Sequence, residues 1–205
     1  MKGQCFDLTD RSGIKYDDWL GAFLPVLKSA RTPVIDLGCG SGNDTLYLVE
    51  NNIRVIPCDI SAEIVSNIRR NFPELDRVEQ FDMTHGLLFP DGFSDVIIAD
   101  LSLHFFDEQT TFFVLDEIKR ILSPRGILLF RVNSLKDARH GGSGGTEISH
   151  GLFRLNDGRM KRFFDEAMIT HFFRGWELSG LSESVMHRYV KPKTLWTAMA
   201  RPILP

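Results

Sequence analysis

The chain has 205 residues, a hydrophobic content of 43% and a formal net charge of −3, values typical of one soluble globular domain spanning residues 1–205. Mild acidity argues against a broad nucleic-acid surface, because contacts to phosphates need clustered lysine and arginine. The N-terminus carries acidic residues and no apolar core, and no apolar run reaches the ~18 residues of a membrane span. We therefore expect a cytoplasmic protein that contacts neither nucleic acid nor a membrane.

The cysteine pattern indicates reduced thiols. Cys5, Cys39 and Cys58 form no CxxC pair, and an odd number of cysteines without an export signal is typical of a cytoplasmic protein. A chain of this length buries enough surface to fold without a disulfide or a structural metal. Since His140 and His150 have no cysteine or acid at ligand spacing, no metal site is predicted.

An amphipathic helix is predicted near the N-terminus, within a helical cap formed by residues 1–30. Apolar side chains recur there at i, i+3, i+4, i+7, i+8 and i+11; they are Tyr16, Trp19, Leu20, Phe23, Leu24 and Leu27. Pro25 lies inside this pattern, so we expect it to bend or interrupt the helix.

Strands and helices then alternate. Strands are predicted at residues 34–38, 53–60, 77–82, 94–100 and 126–132, and helices at residues 43–52, 61–72 and 107–122. The strands "VIIA" and "ILLF" are apolar on both faces, as parallel strands are when helices cover both sides of a sheet. The pattern predicts an α/β fold with a doubly wound, Rossmann-like sheet.

The alternation stops after Val132. Residues 133–158 read as an unusually long loop, and their glycine-rich part, residues 137–155, is predicted to be mobile. A helix at residues 165–176 follows, and then two strands at residues 176–186 and 194–201. The short connection between these strands predicts an antiparallel pair at the far edge of the sheet.

The segment "VIDLGCGSG" places three glycines at alternate positions after the first strand. A dinucleotide-binding loop of the form G-x-G-x-x-G would need glycine where Asn43 stands. Asp36, two residues before the first glycine, would also repel a pyrophosphate. A carboxylate beside closely approaching backbone instead favours a cationic ligand such as an ammonium or a sulfonium.

Two more acids end the next two predicted strands. Asp59 is placed to accept hydrogen bonds from a ribose diol, with Ile60 as an apolar surface for an adenine ring. Asp82 is placed to accept from the adenine amino group, with Met83 beside it. Each acid alone is also compatible with a structural turn, but together they predict a nucleoside pocket at the strand ends.

The ordered series "VIDLGCGSG", "CDIS", "FDM", "FSDVIIADLSLHFF" and "LDEIKRILSPRGILLF" resembles the class I S-adenosylmethionine-dependent methyltransferases. The resemblance covers the chain from about residue 16 to its end. The C-terminal segments "GGTEISHG" and "RFFDEAMITHFFRGWELSGLSE" are similar to small bacterial methyltransferases of the tellurite-resistance type. The resemblance implies a seven-stranded sheet of order 3-2-1-4-5-7-6 with an antiparallel last strand and with S-adenosylmethionine across the first two strands.

The resemblance also implies roles for residues. Asp36 and the glycine loop would hold the methionine moiety, Asp59 the ribose, and Asp82 and Met83 the adenine, while residues 99–101 would lie near the reactive methyl group. The implied cofactor contacts are Asp36, Gly38, Cys39, Gly40, Asp59, Ile60, Asp82, Met83, Ala99, Asp100 and Leu101.

The implied reaction is an in-line displacement on the sulfonium methyl group, driven mainly by orientation and exclusion of water. His104 is the one candidate general base, and packing or helix capping is its alternative role. Tyr16 and Trp19 are expected either in the core or over the sulfonium as cation–π partners. Phe105 and Phe153 are expected beside the acceptor, with the glycine-rich segment as a lid.

Two alternatives remain open from the sequence. One is a non-catalytic module that binds adenosylmethionine as a sensor, and the other, disfavoured by Asn43 and Asp36, is a nicotinamide-dependent oxidoreductase. For an enzyme, the lid-like segment favours a small-molecule acceptor, whose identity and whose need for a general base cannot be read from the residues.

Overall fold

The computed structural model describes residues 11, 13–138 and 145–203. Cys5, His140 and the centre of the predicted glycine-rich loop, residues 139–144, lie outside these ranges. Within the described ranges, no helix is both long enough and apolar enough to cross a membrane.

The main sheet has seven strands. They are β1 (Val34–Leu37), β2 (Val55–Asp59), β3 (Glu79–Gln80), β4 (Ser94–Asp100), β5 (Leu122–Asn133), β9 (Trp176–Met186) and β10 (Lys193–Pro202). Their order is β3-β2-β1-β4-β5-β10-β9. The five strands from β1 to β5 pair in parallel, whereas β10 is antiparallel to both β5 and β9. This arrangement confirms the predicted doubly wound sheet and its strand order.

Helices cover both faces of this sheet. They are α1 (Leu24–Ser29), α2 (Asn43–Glu50), α3 (Ala62–Asn71), α4 (Glu108–Ile121) and α5 (Glu166–Phe172), with 3₁₀ helices at Asp18–Phe23, Met83–His85 and Leu135–Asp137. Side-chain caps fix several of the starts. The Ser61 hydroxyl accepts from the Ile64 N–H at 3.3 Å, and the Asp107 carboxylate accepts from the Thr110 N–H at 2.8 Å.

Two apolar layers form the core, one on each face. On β4, Ile97 and Ala99 belong to the layer that includes α4 and α5, whereas Val96 and Ile98 belong to the layer that includes Leu20 and α2. Successive strand side chains point to opposite faces, so burial of all four requires cover on both sides. Burial on both faces of the sheet therefore explains the continuous apolar runs in the sequence.

The predicted N-terminal helix is divided as its proline suggests. A 3₁₀ helix ends at Phe23 and α1 begins at Leu24, which places Pro25 in the first turn of α1. Proline is tolerated there because the first-turn N–H groups have no partner within the helix.

The expectation of one long loop over residues 133–158 is wrong for the described residues. These residues include β6 (Thr146–Ser149) and β7 (Leu152–Arg154), which pair antiparallel in a second, three-stranded sheet completed by β8 (Met160–Arg162). All four residues of β6 are exposed, so no apolar alternation marked the strand in the sequence. The Arg162 N–H donates to the His104 carbonyl at 2.7 Å and ties this small sheet to the segment after β4.

Candidate active site

A cavity of about 580 Å³ opens beyond the carboxyl ends of β1, β2 and β4, where open α/β sheets bind their ligands. Its wall consists of Asp36, Gly38, Cys39, Gly40, Ser41, Asn43, Asp44, Asp59, Ile60, Phe81, Asp82, Met83, Asp100, Leu101, Ser102, Phe105, Phe106, Arg159, Met160, Arg188 and Tyr189. Its volume is in the range of about 300–1,000 Å³ found for small-molecule sites. Most of the predicted cofactor residues are thus brought together.

The three loop glycines all have positive φ but serve different purposes. A Cβ at Gly38 would lie 2.5 Å from the Ser102 Cβ, and one at Gly42 would lie 2.7 Å from the Ile68 Cδ1. At Gly40 a Cβ would meet no atom within 4 Å. A side chain would overlap with the Ser102 Cβ at Gly38 and with the Ile68 and Phe72 side chains at Gly42, whereas Gly40 lines the cavity and has open space beside it.

Asp59 organises the edge of the cavity. Its Oδ2 accepts from the Gly40 N–H and its Oδ1 from the Ser61 N–H, each at 3.0 Å. Each carboxylate oxygen keeps a further lone pair for a ligand hydroxyl. Ile60, next in the chain, is 62% exposed on the cavity wall, which is the position expected of an apolar surface beneath a planar ring.

Asp82 caps the short helix at Met83–His85. Its Oδ1 accepts from both the N–H and the hydroxyl of Thr84, at 2.9 and 2.8 Å, and His85 Nδ1 lies 3.5 Å from Oδ2. Asp82 and Met83 both line the cavity. Asp82 thus has the structural role in a turn that the sequence left open, and it still lines the cavity.

Asp36 is buried near the end of β1, the strand that precedes the glycine loop. The Thr45 hydroxyl donates to its Oδ2 at 2.6 Å. Burial raises the pKa of Asp36 to about 7, and the nearby carboxylates of Asp100 and Asp59 add to this effect, while the Thr45 hydrogen bond opposes it. Burial likewise raises the pKa of Asp44, whose Oδ1 accepts from the Trp19 indole N–H at 3.0 Å.

Asp100 reaches the cavity, but its carboxylate is held by two arginines. Arg131 donates to both oxygens, at 2.7 and 2.9 Å, and Arg188 donates to Oδ2 at 2.8 Å. Both guanidiniums also bond to Asp17, which precedes the first 3₁₀ helix. Although burial opposes it, these arginines hold the pKa of Asp100 below its usual value. Asp100 therefore lines the cavity with a carboxylate that both arginines hold in place.

Leu101 follows Asp100 and also lines the cavity. Its backbone is left-handed, with φ of 56°. Apart from glycine, such a conformation costs energy and is concentrated at functional sites. The Leu101 N–H donates to the Arg131 carbonyl at 2.9 Å, which holds the turn in place.

Several predicted site residues lie elsewhere. Ala99 is fully buried in the core, and Tyr16 donates to the Glu50 carboxylate at 2.5 Å on the surface; neither lines the cavity. Trp19 does not line the cavity, but its indole N–H donates to Asp44, which does. Phe153 packs edge-on against Phe163, at 5.5 Å between ring centroids, and Phe105 alone of the four predicted aromatics lines the cavity.

His104 also lies off the cavity wall. It is buried, and its Nδ1 has no hydrogen-bond partner among the described residues. Burial, followed by the charges of Lys161 and Lys193, lowers its pKa well below the ordinary value, so the ring is neutral. The placement favours the packing role over the general base.

Sequence reasoning missed several residues of the wall. Asp44, Ser102, Arg159, Met160, Arg188 and Tyr189 all line the cavity. Asp44 could have been predicted from the sequence, because it is an acid just after the glycine loop. Nothing in the sequence marks Arg159 or Arg188, because they reach the site only through tertiary folding. Among the described residues, no cluster of histidine, cysteine and carboxylate side chains is suited to a metal ion.

Comparisons with known proteins identify the class. A family model described as "Methyltransferase domain" matches residues 35–130. A tRNA N(3)-methylcytidine methyltransferase of Drosophila melanogaster is 32% identical over an alignment of 145 residues, and the match covers 65% of this chain and 44% of that protein. Trans-aconitate 2-methyltransferase of Azoarcus sp. is 32% identical over 127 residues, which are 61% of this chain and 45% of that protein.

The fold likeness extends further along the chain. The crystal structure of the 1,6-didemethyltoxoflavin-N1-methyltransferase of Burkholderia thailandensis, with 1,6-didemethyltoxoflavin and S-adenosylhomocysteine bound, matches with a TM-score of 0.66 at 20% identity. The match covers 88% of this chain and 75% of that one. At this identity the likeness concerns the fold alone.

Residues 35–130 thus carry a methyltransferase domain, and the chain has the fold and the sequence pattern of the class I S-adenosylmethionine-dependent methyltransferases. The open space at Gly40, the acids at the strand ends and the cavity volume fit S-adenosylmethionine, the methyl donor of that class. The matched segments span less than half of the two curated relatives. Neither relative is named for tellurite, so that part of the resemblance remains a prediction.

The glycine loop generates the first prediction. Gly40→Ala should lower the free energy of unfolding by roughly 1–2 kcal/mol, the cost of a left-handed alanine, yet weaken S-adenosylhomocysteine binding about tenfold or more because its methyl group enters the cavity. Gly38→Ala should lose more stability, since its Cβ would overlap with Ser102. Urea unfolding and titration calorimetry measure the two effects. Wild-type affinity in a folded Gly40→Ala protein would contradict the placement of the ligand.

The second prediction concerns pH. Because the folded pKa of Asp36, about 7, lies above the ordinary 3.8, Asp36 stabilises the empty protein below about pH 4, and this contribution is lost as pH rises through 7. The charged carboxylate attracts a cationic ligand, so S-adenosylmethionine affinity should rise over the same pH range. Thermal shifts with cofactor should therefore be larger at pH 8 than at pH 6. Asp36→Asn should remove this pH dependence, and a variant that keeps it would assign the titration to another group.

The third prediction concerns the buried ion pairs. Asp100→Asn should lower the free energy of unfolding by about 3–5 kcal/mol, because it leaves Arg131 and Arg188 buried with too few acceptors. Asp91→Asn is the matched control; its side chain is 82% exposed beside Arg120, and an exposed pair contributes at most about 1 kcal/mol. Equal losses in the two variants, measured by urea unfolding, would show that the buried pairs do not anchor the site.

Proposed function

We propose that the chain transfers the methyl group of S-adenosylmethionine to a small-molecule acceptor by in-line displacement. The observation that carries the proposal is the composition of one cavity. The acids Asp36, Asp59 and Asp82 lie at three strand ends, and Phe105, Met160 and Tyr189 contribute apolar surface to the same wall. A cationic nucleoside and a small acceptor can share such an enclosure.

The cofactor contacts follow from the positions of the side chains. Asp59, already fixed by two backbone N–H groups, accepts from the ribose diol, and Ile60 and Met83 lie against the adenine. Asp36 and the free space at Gly40 receive the methionine moiety. Leu101, rather than the anchored carboxylate of Asp100, bounds the region of the reactive methyl group.

The bound cofactor supplies a methyl group on a sulfonium, which is electrophilic without further activation. The task of the protein is to hold the acceptor's lone pair in line with the bond that breaks, and to keep water out. Phe105, Phe106 and Met160 provide the apolar surface for this exclusion. The left-handed turn at Leu101 fixes the backbone next to them.

The described histidines are not placed to take a proton from the acceptor. No histidine of the described chain lines the cavity, and His104 is buried, neutral and off its wall. An acceptor that reacts as an anion fits this arrangement better than one that must first lose a proton.

The relatives point in two directions. One is named for trans-aconitate, a small acid, and another for tRNA, so the comparisons do not support the sequence-based exclusion of nucleic acid. A cavity of about 580 Å³ with apolar surface on its wall favours the small molecule. A binding module without turnover is the alternative from another class, and it differs by producing no S-adenosylhomocysteine with any acceptor.

The fourth prediction tests this function. The wild-type protein should bind S-adenosylmethionine and not NAD in calorimetry, and it should form S-adenosylhomocysteine with at least one member of a panel of small acids, phenols and thiols that includes trans-aconitate. Asp59→Ala should weaken cofactor binding by about 1.5–3 kcal/mol, since charge-assisted ribose hydrogen bonds are lost.

Asp116→Ala is the matched control, because Asp116 is an exposed acid on α4 away from the cavity and its loss should leave the affinity unchanged. Tight NAD binding, or full affinity in Asp59→Ala, would refute the pocket assignment. Turnover on tRNA and on no small acceptor would refute the small-molecule proposal, and cofactor binding without turnover on either would favour the sensor.

A further inference from the structure

The proposed methyl donor brings charges of both signs into the cavity. Its sulfonium and the ammonium of its methionine moiety are positive, whereas the carboxylate of that moiety is negative. The acids of the described chain that line the cavity are Asp36, Asp44, Asp59, Asp82 and Asp100. They attract the two positive groups and repel the carboxylate. A site that holds the whole molecule therefore needs a cation or hydrogen-bond donors for the carboxylate.

The described part of the chain contributes two cations to the cavity wall, both of them arginines. Arg159 lies in the turn between β7 and β8 and pairs with Asp157 at 2.7 Å. Arg188 lies between β9 and β10, and its Nη1 is 3.9 Å from the Oδ1 of Asp44, in the first turn of the helix that follows the glycine loop. Its charge also acts on Asp36, where it opposes the rise in pKa that burial causes. Arg188 is thus the cation beside the acids of the methionine end.

Arg188 keeps one donor without a partner. Its side chain is only 5% exposed. Nη2 donates to the Asp100 Oδ2 at 2.8 Å and Nη1 to the Asp17 Oδ1 at 3.2 Å, whereas the buried Nε donates to no residue that the structure describes. A buried N–H without an acceptor is costly, and native proteins rarely contain one. An acceptor atom of a ligand in the cavity would remove this cost.

The next residue in the chain adds a second donor. Arg188 Nη2 donates to the Tyr189 hydroxyl oxygen at 3.1 Å, so the hydroxyl proton is left for another acceptor, and none of the described residues accepts it. The Tyr189 ring lines the cavity and is 42% exposed, with the Lys193 Nζ 4.3 Å from its centre. A hydroxyl that accepts from a charged donor is polarised, which strengthens the hydrogen bond that it donates.

We infer that Arg188 and Tyr189 bind the methionine carboxylate of S-adenosylmethionine. The inference rests on the proposed function and assigns the one charged group of the methyl donor that the acids of the wall repel. A carboxylate has two oxygens with about four lone-pair sites, so it can accept from both donors. Both residues lie beyond residues 35–130, the range of the matched methyltransferase domain.

The two donors are held in place by the protein itself. Asp100 and Asp17 fix the guanidinium, and the guanidinium in turn bonds to the Tyr189 hydroxyl. Donors that are already ordered lose little conformational freedom when a ligand binds. The Tyr189 ring still contributes apolar surface to the wall, because only its hydroxyl is used for the carboxylate.

The fifth prediction compares S-adenosylhomocysteine with its decarboxylated analogue, which keeps the ammonium and lacks the carboxylate. In calorimetry the wild type should bind S-adenosylhomocysteine more tightly by a factor of about ten or more, although the acids alone would favour the more positive analogue. Tyr189→Phe keeps the ring and removes the donor. It should weaken S-adenosylhomocysteine binding about tenfold, as expected for a lost hydrogen bond to a charged group, and leave binding of the analogue unchanged.

Tyr16→Phe is the matched control. It also removes a phenol hydroxyl, but that hydroxyl donates to Glu50 and Tyr16 lies outside the cavity wall. This variant should bind both ligands as the wild type does. The comparison of the two ligands on the wild type needs no substitution, so it tests the inference even if a variant does not fold.

Affinity for S-adenosylhomocysteine in the wild type separates the two proposals. No affinity for that ligand would refute the proposed function itself. Intact affinity together with equal or tighter binding of the decarboxylated analogue would refute the carboxylate subsite alone. Unchanged S-adenosylhomocysteine affinity in a folded Tyr189→Phe protein, equal weakening of both ligands by that substitution, or an equal effect of Tyr16→Phe would also refute the subsite.

Discussion

The site depends on one buried carboxylate held between two arginines. Asp100, with a side chain only 8% exposed, ends β4 and binds Arg131 of β5 and Arg188 of the β9–β10 connection. Asp17 bonds to the same guanidiniums and brings in the N-terminal segment. Buried ion pairs add little net stability but strongly penalise arrangements in which one partner is missing. The network therefore fixes the relative positions of four segments that are distant in sequence, and with them the walls of the cavity.

The charge of the cavity is complementary to the sulfonium that the proposed reaction consumes. Asp36, Asp44 and Asp59 surround the glycine loop, and burial raises the pKa of the first two. A sulfonium relieves this accumulation of acids, whereas the thioether that remains after methyl transfer does not. The pocket is thus more complementary to the donor than to its product, a difference that favours product release.

The sequence predicted the parts of the fold that follow local rules. The apolar runs of β1, β4 and β5 and the break at Pro25 each reflect a preference of a few consecutive residues. The sequence did not predict the features that depend on tertiary contacts. β6 is wholly exposed and lacks alternation, and Arg131 sits within the apolar run "ILLFRV", so its bond to Asp100 could not be read. The bond between Asp100 and Arg188, 88 residues apart, could not be read either, and the cofactor contact predicted for Asp100 stays a prediction.

The segment matched by the family model and the segment beyond it contribute different parts of the cavity. The family model covers residues 35–130, which include the glycine loop, Asp59, Asp82 and Asp100. Arg159, Met160, Arg188 and Tyr189 lie beyond that range yet complete the cavity. Cofactor binding imposes one geometry on every member of the class, so its residues follow a shared pattern. Residues 145–203, which lie beyond the matched range, carry a net charge of +3, whereas residues 11–138 carry −6. The proposed acceptor side of the cavity therefore combines Phe105 and Phe106 of the matched range with Met160 and Tyr189 from beyond it.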